Sequence, residues 1–233
     1  MIELLGFVGK SNVSPPVGVD NFFFFDGPTP PTLTLTLGGS AAFESTPTID
    51  GKTASFTTTA DTLKVTFGTP LNLSTSDWTL EWSIINQAVP AADYAAELGL
   101  FPANGGVAGL QARYGSPGFG NRLQFGGRMA ALETCYSSQY TKSGLVGVLK
   151  RFALVSKNKS ITLYVNGVRE NFALGTTNTY NTTAFGLDTD MSAITNLLLG
   201  SNPLAGGSVL AKRGPVKLSM FAKYSANYTP VPF

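Results

Sequence analysis

Thr32-Leu33-Thr34-Leu35-Thr36-Leu37 alternates without a fault, and Gly38-Gly39 ends it. Side chains on a strand point alternately to the two faces of a sheet, so this stretch puts Leu on one face and Thr on the other. That is a half-buried strand, and no helix can use the pattern. The rest of the chain repeats the theme. Candidate strands lie at 54–58, 63–67, 78–85, 97–101, 107–114, 122–125, 152–156, 161–165, 168–172, 196–199 and 216–224, separated by Gly, Pro and Asn clusters. In the strand at 78–85, Trp78, Leu80, Trp82 and Ile84 share a face. Asn166-Gly167 joins two of these runs, and this dipeptide suits the two positive φ values of a type I′ turn. Strands recurring every 8–12 residues with turn signals indicate an all-β, antiparallel two-sheet sandwich. Helix is expected at most as short options at 91–98 and 191–198, either of which could equally be loop or strand.

Composition removes most chemistry. The 233 residues contain no His and one Cys, Cys135. A Ser-His-Asp or Cys-His arrangement is therefore absent, as is an imidazole ligand for zinc, copper or iron. One thiol makes neither an internal disulfide nor a Cys-rich zinc site. Only 13% of residues are charged, about half the usual share. Residues 1–100 carry 3 Lys/Arg against 10 Asp/Glu, and residues 101–233 carry 13 against 4. Either two opposite faces pack head to tail, or the two halves interleave in one sandwich and their charges mix; the second is expected. The pI of about 8.6 lacks the basic excess of a nucleic-acid binder. No run of about 20 apolar residues is present, so no membrane insertion is expected. The start, Met1-Ile2-Glu3-Leu4-Leu5, has no basic n-region and is not expected to be a signal peptide.

Residues 1–31 read differently from the remainder. Ser14-Pro15-Pro16 and Pro28-Thr29-Pro30-Pro31 bracket Phe22, Phe23, Phe24 and Phe25. Proline fixes φ and removes donors, which favours an extended arm. Four consecutive rings cannot share one face of a strand. The arm either covers its own domain or docks on another subunit. Docking through Phe22–Phe25 is the expectation, with a domain boundary between 31 and 32.

Five stretches together carry a resemblance. They are Thr53–Phe56 followed by Asp61–Val65; Leu73-Ser74-Thr75-Ser76-Asp77-Trp78-Thr79-Leu80-Glu81-Trp82; Phe152–Val155 with Ile161-Thr162-Leu163-Tyr164-Val165-Asn166-Gly167; Leu197-Leu198-Leu199-Gly200; and Lys223-Tyr224-Ser225-Ala226-Asn227-Tyr228-Thr229-Pro230. In this order they resemble the concanavalin A-like lectin/glucanase jelly roll. Within it, they are most similar to the laminin-G-like domains of bacteriophage virion proteins. The match covers roughly residues 40–230. It departs where Lys150-Arg151 stands in place of a Trp-His pair, and the arm has no counterpart. The resemblance implies a jelly-roll sandwich over 32–233, a virion setting, and calcium at the sandwich rim in some members.

Fold alone does not fix activity. Glycosidases of this fold need paired carboxylates, whereas Glu81 has only Asp77 four residues away and is expected to face solvent or a strand partner. The other close acidic pairs are Asp93/Glu97 and Asp188/Asp190. Asp188 and Asp190 are weak candidates for a calcium ion, although a solvated loop is the expected reading and no cofactor is expected. A sugar site needs an exposed aromatic ring beside hydrogen-bonding groups; Tyr114, Phe119, Asn121 and Arg122 around the loop 115–120 are candidates, with Tyr136, Tyr140 and Tyr180 behind them. The expectation is a non-enzymatic structural protein of a bacteriophage particle, a capsid decoration or tail-associated protein held by its arm. Its expected partners are other virion proteins and further copies of itself. The alternative is a carbohydrate-binding module that attaches virions to host surface glycans, and a third reading is a glycan-degrading enzyme.

Overall fold

The computed structural model describes residues 17–89, 95–103, 109–115, 122–126, 136–141, 143–174, 179–186, 190–200 and 207–232. Within them run the strands β1 (Val17–Val19), β2 (Phe23–Asp26), β3 (Leu33–Gly38), β4 (Ala42–Phe43), β5 (Ala54–Phe56) and β6 (Thr62–Leu71). β7 (Trp78–Asn86), β8 (Ala96–Pro102), β9 (Leu110–Tyr114), β10 (Arg122–Gly126), β11 (Tyr136–Thr141) and β12 (Lys150–Lys157) follow. The last are β13 (Ser160–Val165), β14 (Val168–Arg169), β15 (Ala173–Leu174), β16 (Phe185–Gly186), β17 (Ile194–Gly200) and β18 (Ala211–Ser219). The described residues contain no α-helix. Of the readings left open for the two ambiguous segments, strand is the one found: Ala96–Leu98 begins β8 and Ile194–Leu198 lies in β17, while residues 91–94 lie outside the described residues.

Two sheets face each other. The first runs β1-β2-β18-β7-β12-β13-β14, with β5 also on β18, β4 on β5 and β16 on β13. The second runs β15-β11-β10-β9-β8-β17-β6-β3. The pairs are antiparallel apart from β2 with β18, and the result is a jelly-roll-like sandwich. Leu33, Leu35 and Leu37 lean on the common core from the edge strand β3, while Thr34 and Thr36 are exposed. Leu63, Val65 and Phe67 on β6, Leu98 and Leu100 on β8, and Leu197 and Leu199 on β17 meet Trp78, Leu80, Trp82 and Ile84 on β7 in that core. Trp82 stacks on Phe152 with centroids 4.9 Å apart and planes 12° from parallel.

The Asn166-Gly167 turn forms as the sequence requires, with φ of 50° and 80°. Val165 pairs with Val168 across it. Asn158 and Lys159 make a second such turn, at 51° and 64°. Ile161, Leu163 and Val165 enter the main core, and Tyr164 points the other way. It does not reach solvent. The last strand ends at Ser219 rather than running on to Tyr224, and the chain beyond it crosses the outer face of the first sheet. There Ala222, Tyr224 and Tyr228 pack on Ala153, Val155 and Tyr164, and the Tyr228 amide donates to the Gly167 carbonyl at 2.9 Å.

The arm is where the structure departs most from the sequence reading. β1 and β2 form a hairpin that extends the first sheet, with Phe23 opposite Val216 and Phe25 opposite Leu218. Phe22, Phe23 and Phe25 are buried in the chain's own core. Phe22 tilts against Phe43 at 5.3 Å and Phe23 against Phe67 at 5.8 Å. Only Phe24 turns to the outer face, half-buried. The expectation that this run is surplus to one domain is thereby corrected, and so is the boundary at 31: residues 17–26 belong to the sandwich. Each buried ring contributes about 1.5–3 kcal/mol. Residues 1–16 lie outside the described residues.

Asp61 ties the start of β6 to the loops around it. Its carboxylate accepts from the amides of Ser40 (2.6 Å), Thr57 (2.6 Å) and Thr58 (2.9 Å) and from the Thr58 hydroxyl (2.7 Å). Burial pushes its pKa up, but these hydrogen bonds outweigh burial and hold it below the usual carboxylate value. A lowered native pKa means that the unfolded chain binds the proton more readily. The resulting stability is present above the unfolded value near 4 and is lost as pH falls through the native one. Asp61→Asn is therefore expected to lower stability at pH 7 by about 1–3 kcal/mol, and wild type and variant should converge in urea unfolding as pH falls below about 4.

Candidate functional site

Among the described residues, Glu81, Asp77, Glu97 and Asp190, the acidic residues that could have served catalysis, are each held in structure. Glu81 sits mid-strand on β7, between Lys217 on β18 and Ala153 on β12. It points outward but is buried. Lys223 Nζ reaches its two carboxylate oxygens at 2.9 and 3.2 Å, and the Tyr224 hydroxyl donates at 2.6 Å. Burial and then the Glu81 carboxylate push the Tyr224 phenol well above its usual value. Glu81 thus faces the C-terminal segment instead of solvent. Asp77 accepts the Asn158 amide at 2.8 Å, at the other hairpin. Asp190 accepts from the Ser192 amide at 2.8 Å and the Ser74 hydroxyl at 3.4 Å, and the Ser192 bonds lower its pKa. Its calcium partner of the sequence reading, Asp188, lies outside the described residues, as do Asp93 and Cys135. Among the described residues no cluster of three or more His, Cys, Asp or Glu side chains could hold a metal.

Glu97 reaches across the sandwich. It stands on β8 in the second sheet, fully buried, and Arg213 Nη1 on β18 in the first sheet donates to it at 3.1 Å. Arg213 also lies over the Phe56 ring, 4.8 Å from its centroid. Burial raises the Glu97 pKa, and Arg213 and then the Trp82 indole pull it back only in part. This is an inter-sheet ion pair in the core.

Tyr114 is corrected as a sugar platform. Leu110, Ala112 and Tyr114 share the inward face of β9, so its ring is fully buried. Its hydroxyl accepts from Asn86 Nδ2 at 3.1 Å. Phe119 and Asn121 lie outside the described residues. Arg122 survives as a candidate: it is half-buried, and its guanidinium lies 4.9 Å from the Tyr180 ring centroid. Tyr136 instead stacks on Phe185 at 4.4 Å. Tyr140 donates to Glu170 at 3.3 Å, and burial and then that carboxylate push its phenol up to about 12.

Arg122 does not stand alone. On β10 it alternates with Leu123, so Arg122 and Gln124 face outward. On β9 Gln111 and Arg113 face outward, and Gln124 is paired with Arg113. Gln111 has Gly99 of β8 on one side and Gly126 of β10 on the other. A row of planar polar head groups thus crosses the outer face of the second sheet. Gln111, Arg113 and Gln124 are buried, and Arg122 with Tyr180 forms the half-exposed end. Sequence reasoning missed Gln111, Arg113 and Gln124. The signal was present in Gln111-Ala112-Arg113 and Arg122-Leu123-Gln124, where polar residues alternate with core residues.

No protein-family model matches the chain, and no curated protein sequence matches it. Solved structures do. A sialidase from Trypanosoma rangeli, solved with the inhibitor DANA, superposes with a TM-score of 0.51 at 13% identity, covering 82% of this chain and 28% of the sialidase. The binding domain of botulinum neurotoxin serotype D gives a TM-score of 0.53 at 7% identity, covering 82% and 44%. The chain therefore spans less than half the length of each of these chains. At such identities the likeness shows the fold, a two-sheet jelly-roll-like β-sandwich, and nothing finer.

The Glu97–Arg213 pair supplies a measurable consequence. Removing one partner strands a buried charge, which typically costs about 3–5 kcal/mol. Arg213→Met is expected to lower stability by that amount in chemical unfolding. Glu97→Gln keeps a hydrogen-bond acceptor but leaves the Arg213 cation buried without its counter-charge, and because arginine cannot shed its proton this substitution is expected to cost about as much.

Proposed function

We propose that this chain is a non-enzymatic contact module that binds carbohydrate, carried on a bacteriophage particle. The observation that carries the reading is the row Gln111–Arg113–Gln124–Arg122 on the outer face of the second sheet, ending in the half-exposed Arg122–Tyr180 pair. A few convergent planar donors beside an aromatic ring are what a polyhydroxylated ligand requires: the ring packs on its C–H face, and the donors fix its hydroxyls. The buried members of the row hold the backing, and Arg122 with Tyr180 meets the ligand. Contact rather than cleavage is supported by the engagement of Glu81, Asp77, Glu97 and Asp190 in the structure, because an acid–base pair needs two carboxyls free to act on one bond.

The virion setting rests on the sequence resemblance alone. The segment Lys223–Pro230, which resembles the tail of phage laminin-G-like members, is a packed strap here. It secures Glu81 through Lys223 and Tyr224, and it accepts the Arg169 amide on Asn227 Oδ1 at 2.9 Å. A structural role among other virion proteins follows from that reading.

An array of bacterial surface glycans, followed by titration calorimetry on any hit, tests the carbohydrate reading. Binding that falls at least tenfold on Tyr180→Ala or Arg122→Ala, with folding unchanged by circular dichroism, is expected. An array without a hit, or hits indifferent to both substitutions, contradicts it.

A further inference from the structure

The hairpin β1–β2 is attached in a way that differs from every other described strand. β2 runs parallel to β18, from Phe23 opposite Val216 to Asp26 opposite Ser219. The Val216 amide donates to the Phe22 carbonyl at 2.7 Å, and the Met220 amide to the Asp26 carbonyl at 2.7 Å. Lys217 Nζ closes the outer side on Asp26 at 3.3 Å. Beneath this ladder Phe22, Phe23 and Phe25 enter the core beside Phe43 and Phe67. The seat is thus built from residues 43, 67 and 216–220, far from the hairpin in sequence.

The connector to the rest of the chain is Gly27-Pro28-Thr29-Pro30-Pro31, exposed at residues 28–30. Three of its five residues have no amide hydrogen to donate, and their φ values are fixed near −65°. Such a stretch prefers to be extended, at about 3.1 Å per residue, or about 15 Å overall. In the closed chain it must instead turn from the first sheet at Asp26 to the second sheet at Leu33. Short hinges that resist turning favour exchange of the element they carry.

We propose that the β1–β2 hairpin exchanges between copies of this chain, the hairpin of one copy seating on β18 of a second. Every contact of the closed form is then recreated between two chains: the parallel ladder, the three buried rings and the Asp26–Lys217 pair. The turn imposed on the connector is relieved. Reciprocal exchange gives a two-fold dimer; one-way exchange gives a ring or an open chain of subunits. The partner is a second copy of the same sequence, because the seat is shaped for Phe22, Phe23 and Phe25 in that order.

Cysteine trapping on the full chain tests this. Phe24 and Lys217 are paired residues on adjacent strands and both lie on the outer face. Their Cα atoms fall within the range that a disulfide spans. Chains carrying Phe24→Cys and chains carrying Lys217→Cys, each with Cys135→Ser, are mixed, unfolded and refolded together at high concentration, then oxidised. A covalent dimer with the 24–217 disulfide, identified by peptide mass mapping and exceeding the 24–24 and 217–217 products, is expected. Pro28→Ala/Pro30→Ala in both chains should lower its yield. A mixture that yields no 24–217 link overturns the proposal.

Discussion

β7 is buried on both faces, and much of the molecule is arranged around that fact. A strand alternates its side chains, so Trp78, Leu80, Trp82 and Ile84 can be given to the inter-sheet core only if Thr79, Glu81 and Ser83 are given to the other side. Those three are buried as well. The chain beyond β18 covers the first two, with the Thr79 hydroxyl donating to the Phe221 carbonyl at 2.9 Å and Lys223 and Tyr224 closing on Glu81, while the Ser83 hydroxyl donates to Asp50 at 3.3 Å. A carboxylate in the middle of a sheet is costly without partners, and here the partners arrive from the far end of the sequence. The same strap reaches the Asn166-Gly167 turn, where a Cβ in place of the Gly167 hydrogen would run into the Tyr228 carbonyl. Central strand, hairpin and C-terminal segment are therefore one mechanical unit.

What was legible in the sequence is what depends on neighbours along the chain. The Leu/Thr alternation of 32–37, the face shared by Trp78 to Ile84 and the positive φ values at Asn166-Gly167 follow from two-residue periodicity and turn chemistry. What was not legible depends on distant segments. Nothing near Phe22–Phe25 announces a parallel partner some 190 residues later, so four adjacent rings read as surplus when three of them are core. Nothing near Glu81 announces Lys223. Tyr136–Thr141 escaped because Tyr136-Ser137-Ser138-Gln139-Tyr140 alternates too weakly to stand out as a strand.

The candidate site was half legible. Arg122 and Tyr114 both flank a glycine-rich loop in the sequence, yet Arg122 lies at the half-exposed end of a polar row and Tyr114 in the core. The difference is parity: Leu110, Ala112 and Tyr114 share the inward face, and Gln111 and Arg113 the outward one. Counting by two from the core residues would have separated them. The acid-rich first hundred residues and the basic remainder also fall into place, since both sheets draw strands from each half. Glu97 with Arg213, Glu81 with Lys223, Asp50 with Arg151, and Glu44 with Lys212 join the two halves of the sequence.

The central claim is that this sandwich acts by contact and leaves its ligand intact. Incubating the purified full chain with bacterial surface polysaccharides, and following the release of new reducing ends over time, tests it most directly. The account predicts polysaccharide retained by the protein with no increase in reducing ends over a protein-free control. Reproducible cleavage that disappears on Glu81→Gln or Glu97→Gln would contradict it.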